Sequence, residues 1–269
     1  MRNGKKELSV CLACSYPITL DYPLEECILS INPIADEIII INGDHYPRKE
    51  MEMVIDKLAI NADELGDKIK MYDLPWNDAM RINMFTIANS AGMAQCTKDY
   101  VLWLDADEVI HEDDYEKIYK CMELGMDAYS FRTIHFYRDY NHFKIPKGIW
   151  YNHRPKLFKN GLGIWDGYQS WIDGIGKLKC DYTSDLITWD YKPVHSFSKK
   201  TTISIYHYGW VMSDKVVLEK KNRTETRFHP DWVPLTKWEW NMSDTEEFKG
   251  THPAVMKDRI ERFNYETIR

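Results

Sequence analysis

Four consecutive isoleucines, Ile38 to Ile41, constrain this chain more than any other feature of its sequence. They sit in Asp36 to Asn42 (DEIIIIN). A strand made of them is apolar on both faces, as expected where both sides of a mostly parallel sheet are covered. Gly43 and Asp44 end the run. The flanking segments alternate in the manner of βα units. Leu8 to Ser15 reads as a first strand. In Asp21 to Ile31, Leu24, Cys27, Ile28 and Ile31 recur at helical spacing. A helix over Arg48 to Leu58, a strand over Lys68 to Tyr72 and a helix over Trp76 to Ala94 follow. A fourth strand, Tyr100 to Leu104 (YVLWL), delivers the chain directly to Asp105.

The remainder is less regular. His111 to Leu124 is amphipathic with an acidic start, which suits a helix N-terminus. Ala128 to Tyr137 alternates as a strand through Tyr129, Phe131, Thr133 and His135. Turn signals from Lys159 to Ile187 predict irregular loops. Thr202 to Trp210 reads as a strand and Ser213 to Arg227 as a polar surface helix. The segment from His229 to Arg269 carries Trp, Pro and charge without a period.

With 269 residues and 44% apolar content, the chain can bury a large core and sits near the upper limit of a single domain. One α/β domain over residues 1–227 with a C-terminal extension, 228–269, is the default. Its 35 basic and 42 acidic residues leave a net charge of −7, which gives no global field for a polyanion such as DNA or RNA. No apolar run is long enough to span a membrane and Met1 to Glu7 is charged, so the sequence predicts a cytoplasmic protein. Six scattered cysteines (Cys11, Cys14, Cys27, Cys96, Cys121, Cys180) then read as buried thiols. Cys11 and Cys14 are three apart on a strand and point to opposite faces, against a zinc or redox CxxC site. The Asn222 and Asn241 sequons read as accidental.

The chemistry concentrates in Trp103 to Glu108 (WLDADE). An apolar strand that ends in two carboxylates one residue apart sets both acids in the crevice where open α/β sheets bind ligands. Carboxylate oxygens are the ligands Mg²⁺ and Mn²⁺ prefer, and such an ion would neutralise a departing diphosphate. The plain alternative is an acidic turn that caps the next helix. Asp44, at the end of the second strand, would accept hydrogen bonds from a base or ribose, or would form a simple Asx turn. Arg81 offers a bidentate grip on phosphate, or is an exposed helical arginine.

The order of these pieces resembles the family 2 glycosyltransferases with the GT-A fold: LSVCLACS, the acid Asp44, a helix with Arg81 and Asn83, then Asp105 to Glu108. YPLEECILSINPIADEIIIINGD, LDADEVIHEDD, RPKLFKNGLG and IYHYGWV are similar to a bacterial and phage-type subgroup. The resemblance spans about residues 8–227, and the shared order of the motifs is its persuasive part. It implies a nucleotide-diphospho-sugar transferase fold, a mostly parallel central sheet flanked by helices, with 1–125 on the nucleotide-sugar side and 126–227 on the acceptor side. It implies that Asp105 faces the ribose or the metal, that Asp107 ligates the metal, and that Ser15, Asp44, Arg81, Asp105, Ala106 and Asp107 hold the nucleotide sugar. It also implies a histidine ligand far downstream, with His207 as the match and His195 (PVHSF) as the competitor.

Lys220, on the helix after HYGWV, would reach the diphosphate or stay solvated. An inverting transfer needs a carboxylate base. Asp173 (WIDG) and Asp166 (WDGY) both qualify, although the acidic dyad typical of the family is missing. Trp150, Tyr151, Trp165, Tyr168 and Trp171 fit a sugar platform or a core equally well. Arg154 would help close the site or pair with a surface acid. The sequence therefore predicts a glycosyltransferase using Mn²⁺ or Mg²⁺ and a nucleotide-diphosphate donor, UDP-sugar being commonest in similar proteins. Its acceptor hydroxyl would belong to a glycan, a lipid-linked glycan or a modified nucleobase. The rivals are a nucleotidyltransferase, for which Ser15 to Tyr22 lacks the glycine-rich phosphate loop, and a non-catalytic carbohydrate-binding protein.

Overall fold

The computed structural model describes residues 5–14, 17–43, 48–61, 64–74, 83–147, 150, 152–161, 164–167, 172–175, 192–193, 198–229 and 231–267. At 61, 83–87, 90, 164–167, 172–175, 192–193, 227–228 and 264–267 the description is of the backbone alone. The first half runs β1 (Leu8–Cys14), α1 (Leu24–Ile31), β2 (Glu37–Gly43), α2 (Arg48–Asn61), the single turn α3 (Leu65–Lys68), β3 (Ile69–Leu74), α4 (Asn83–Gln95) and β4 (Tyr100–Asp105). Its strands are all parallel, in the order β3-β2-β1-β4.

The isoleucine run explains this half. Ile38 and Ile40 pack with Val10, Leu12, Leu102 and Leu104 under α1, α2 and α3, which contribute Ile28, Met51 and Leu65 to that layer. Ile39 and Ile41 face the other way, onto Cys11, Val101 and Ala88 of α4. Burying one such side chain fully is worth about 1.5–3 kcal/mol, so both layers are held by the same strand. The helix α4 lies close enough that a Cβ at Gly92 would stand 2.4 Å from Cys11 Sγ and 3.0 Å from Ile41 Cγ1. Helices α1 to α3 and helix α4 thus cover opposite faces, and the winding reverses between β1 and β4. The ligand crevice of such a sheet opens beyond the C-terminal ends of those two strands.

The second half comprises β5 (Glu108–Ile110), a 3₁₀ turn (Glu112–Asp114), α5 (Tyr115–Leu124), β6 (Ala128–Tyr137), β7 (Asp139–Lys144), β8 (His153–Lys159), β9 (Ile164–Gly167), β10 (Ile172–Ile175), β11 (Lys192–Pro193), β12 (Lys199–Trp210), α6 (Asp214–Phe228), β13 (Thr245–Glu247), a second 3₁₀ turn (Ala254–Met256) and α7 (Lys257–Thr267). Strand β8 bridges the halves, antiparallel to both β4 and β6. On its other side β6 runs parallel to β12. Strands β9 to β11 form a separate antiparallel sheet.

Several sequence expectations are corrected here. The strand expected over Ala128 to Tyr137 is β6 with those bounds, but in place of alternating exposure it is buried throughout apart from Arg132, because neighbouring strands flank it on both edges. The stretch expected to be irregular loops contains β9 and β10. The helix expected from His111 begins only at Tyr115, after a 3₁₀ turn whose Asp113 N–H donates to His111 Nδ1. Nor is the C-terminal segment featureless. Its strand β13 pairs with β7, and Phe248, Met256, Ile260 and Phe263 pack against Phe136, Tyr140 and Tyr208. Arg259 on α7 reaches back to Asp21, its Nη2 donating to Oδ1 at 2.6 Å, and lies 3.6 Å from Glu26.

Cys11, Cys14, Cys27, Cys96 and Cys121 are buried free thiols. Cys180 lies outside the described residues. Among the described residues no helix is long and apolar enough to cross a membrane.

Candidate active site

Strand β4 ends beside β1 with Asp105 level with Ala13, at the point where the winding reverses. The chain then turns through Ala106 and Asp107 and leaves as β5, which pairs antiparallel with β12 so that His207 stands opposite Glu108. One further backbone bond, Tyr208 N–H to the Asp107 carbonyl at 2.8 Å, fastens the turn to β12. This pairing is what brings the acidic turn and the distant HYGW segment together.

Asp107 is buried, and its Oδ2 lies 3.5 Å from His207 Nε2. Burial pushes the carboxyl up, but His207, by charge and hydrogen bond, and then Lys220 outweigh it and hold the group down at about 2. The carboxylate is therefore ionised at neutral pH. Its other oxygen, Oδ1, is buried with no hydrogen-bond partner among the described residues. Gly209 makes the geometry possible: a Cβ there would meet Asp107 Oδ2 at 2.1 Å and His207 Nε2 at 2.9 Å. Lys220, on α6, donates from Nζ to the Gly209 carbonyl at 2.5 Å. Burial lowers its ammonium to about 8 against the opposing pull of Asp107 and Asp105. The lysine is half-buried, its Nζ lying over the rings of Trp210 at 4.7 Å and Tyr22 at 4.9 Å.

Asp105 differs from its neighbour. Its side chain is 39% exposed and lies 3.8 Å from Lys156 Nζ. Lys156, fully buried on β8, donates to Glu108 Oε2 at 2.5 Å and lies over the Trp103 ring at 4.4 Å. The same Glu108 oxygen accepts the Asp105 N–H at 2.9 Å. Burial raises the Glu108 carboxyl, Lys156 opposes that, and Asp105 adds to it. The acidic turn thus rests on a buried Lys156–Glu108 pair. Arg154, two residues earlier, places its guanidinium over the same Trp103 ring, 4.9 Å from the centroid.

Do these residues suit a divalent cation? Among the described residues no group of three or more His, Cys, Asp or Glu side chains is placed to hold a metal ion, so Asp105, Asp107 and His207 are not gathered into one ligand set. Asp107 Oδ2 and His207 Nε2 nevertheless stand 3.5 Å apart, and the second carboxylate oxygen, Oδ1, has no hydrogen-bond partner among the described residues. Mg²⁺-type sites take one or two protein ligands and fill the remainder with substrate phosphates and water. The pair fits that pattern, with Asp105 on the open side.

Trp150 packs edge-on against His135, with ring centroids 5.4 Å apart, and edges onto Trp210 at 5.8 Å. Trp238 and Trp240, from the C-terminal segment, extend the same aromatic cluster. Asp166 and Asp173 are direct partners in the β9–β10 register, and their side chains lie outside the description. Ser15, Asp44, Arg81, Trp171 and His195 lie outside the described residues, as do Tyr151 and Tyr168. Two residues that the sequence reading passed over belong to the site. Lys156 is a lone lysine within an apolar strand, and His135 is the last of the alternating positions of β6; both were visible as polar residues in buried strands.

A reversing parallel sheet with an acidic turn at its switch point defines a class of α/β enzymes acting on nucleotides, and the comparisons narrow it. The model of glycosyl transferase family 2 matches residues 23–172, more than half of the chain. The chain belongs to glycosyltransferase family 2; it is an enzyme, a nucleotide-sugar glycosyltransferase with the GT-A fold. No curated protein matches the sequence. Among solved structures, TarS 1–349 of S. aureus is similar at 12% identity, with a TM-score of 0.42, over 85% of this chain and 67% of that one. The same protein in complex with UDP gives a TM-score of 0.43 at 12% identity, with the same coverage. The 4-diphosphocytidyl-2C-methyl-D-erythritol synthase of Anaerococcus prevotii gives 0.44 at 13% identity, over 80% of this chain and 96% of that one.

Proposed function

We propose that this glycosyltransferase moves a sugar from a nucleoside-diphosphate donor, UDP-sugar first among them, to a hydroxyl acceptor with inversion, using Mn²⁺ or Mg²⁺ held by Asp107 and His207. One observation carries the reading: an ionised, buried carboxylate with an unpaired oxygen faces an imidazole nitrogen at 3.5 Å, at the switch point of the sheet. A cation bound there would supply charge neutralisation for the departing diphosphate.

The chain's own residues divide the remaining work. Lys220 adds positive charge behind the ligand pair, and Gly209 leaves room for the phosphates to approach. Asp105, more exposed, takes the ribose or the outer side of the cation, with Ala106 beneath the donor. Ser15, Asp44 and Arg81 belong to the same donor site. Asp173 or Asp166 removes the acceptor proton. Trp150, Arg154 and Trp171 hold the acceptor, a glycan, a lipid-linked glycan or a modified nucleobase. Residues 1–125 form the donor side and 126–227 the acceptor side, with 228–269 as an extension of the domain.

The test is to incubate the protein with a panel of UDP-sugars and measure UDP release with Mn²⁺, with Mg²⁺ and after chelation. Metal-dependent release that Asp107→Ala abolishes supports the reading. Release that survives chelation and that substitution overturns the metal assignment. Asp173→Asn and Asp166→Asn, compared in the same assay, decide between the two bases.

A further inference from the structure

Strands β6 and β12 lie side by side in parallel, and their register sets His135 directly against His207. Their Nδ1 atoms are 3.1 Å apart, with ring centroids at 4.9 Å and planes inclined at 74°. His135 is buried, and Trp150 packs edge-on against it. The Nδ1 of His207 is thereby tied, and its Nε2 is the nitrogen directed at Asp107 Oδ2.

We propose that His135 is a positioning residue for the metal ligand His207: it holds the His207 ring by its Nδ1 so that the Nε2 lone pair faces the cation. The inference rests on the proposed metal role of Asp107 and His207. The chemistry is a matter of tautomers. A neutral imidazole has one donor and one acceptor nitrogen. When Nε2 of His207 gives its lone pair to a cation, its proton must sit on Nδ1, and His135 Nδ1 is placed to accept it. His135 then carries its own proton on Nε2. Metal-binding histidines regularly have their second nitrogen anchored in this way, and loss of the anchor costs about 10–100-fold in metal affinity. The alternative is a buried pair that only fills the sheet.

The experiment measures Mn²⁺ affinity by electron paramagnetic resonance at saturating UDP, for the unaltered protein, Asp107→Ala, His135→Leu and His135→Gln. The thermal midpoint and metal-free UDP affinity serve as controls. The proposal expects His135→Leu to weaken Mn²⁺ about 10–100-fold and to lose the nitrogen modulation of the electron spin echo. His135→Gln, whose amide oxygen still accepts from His207 Nδ1, should stay within a few-fold of the unaltered protein, and metal-free UDP affinity should not move. Unchanged Mn²⁺ affinity and nitrogen modulation in His135→Leu, with Asp107→Ala impaired, overturns the positioning role alone. Equal Mn²⁺ affinity in the unaltered protein and Asp107→Ala overturns the metal reading and the positioning role with it. Should His135→Leu fail to fold, His135→Phe keeps the ring volume without the acceptor and is read in the same way.

Discussion

The parallel half of the sheet and the mixed half are built from different side chains. Strands β1 and β2 are aliphatic and β4 adds Tyr100 and Trp103 to its Val and Leu; all three are connected locally through helices and covered on both faces. Strands β6, β7 and β12 carry Phe, Tyr, Trp and His, and their partners come from far along the chain. The aliphatic half supplies a rigid edge with one acidic turn. The aromatic half sets His207 3.5 Å from Asp107 of that turn and carries the ring cluster around Trp150. Stability and chemistry should therefore separate under substitution.

The largest effect is expected at Asp107. Replacing it with alanine should lower the rate of sugar transfer by about 100–1,000-fold, the range for losing one preorganised electrostatic contact, and should also lower the urea midpoint, because the attraction of His207 and Lys220 for this carboxylate outweighs its burial. Initial rates beside an unfolding curve check both parts. Ile40→Ala is the counterpart in the aliphatic half. It should cost about 2–5 kcal/mol of stability, read by urea denaturation, and leave donor affinity unchanged where the protein is folded. Loss of donor binding at full folding would break the separation.

Gly209→Ala comes next. Its new Cβ would stand 2.1 Å from Asp107 Oδ2, so the carboxylate or β12 must give way. A stability loss of about 1–3 kcal/mol is expected from overpacking. Activity should fall by more than that loss explains, on the order of 100-fold for an ångström of misplacement. Unchanged transfer in Gly209→Ala would show that the close approach is incidental.

The smallest effect concerns the C-terminal segment. His252 donates from Nε2–H to the Tyr140 carbonyl at 2.9 Å, and its Nδ1 accepts from the Tyr208 hydroxyl at 2.8 Å. Burial lowers its pKa from 6.5 to about 4 despite the Tyr140 carbonyl. A base with a depressed folded pKa contributes stability that is complete above pH 6.5 and is lost as the pH falls toward 4. Allowing for its partial exposure, about 1 kcal/mol should disappear between about pH 7 and 5, and His252→Gln should lack that increment. Thermal midpoints across that range, compared between the two proteins, give the difference.

How much could be read from the sequence follows the same division. The isoleucine run and the spacing of Leu24, Cys27, Ile28 and Ile31 announced β2 and α1, since side-chain period reports burial directly. The acidic turn was legible because it follows an apolar strand. The β5–β12 pairing that joins Asp107 to His207 has no local signature, so His207 came only from the resemblance. Glu108 was legible as part of the acidic turn, but its partner Lys156 was overlooked because a charge in a strand ordinarily marks an exposed face, and here the two satisfy each other inside. The C-terminal segment gave no period because Phe248, Met256 and Arg259 each anchor separately.

Central to the account is a cation shared by Asp107 and His207. Crystals grown with Mn²⁺ and UDP, measured at the manganese absorption edge, test this most directly. The account predicts an anomalous peak between the Asp107 carboxylate and His207 Nε2, touching the diphosphate. A peak held by other side chains, or UDP bound with its phosphates away from this pair, would contradict it.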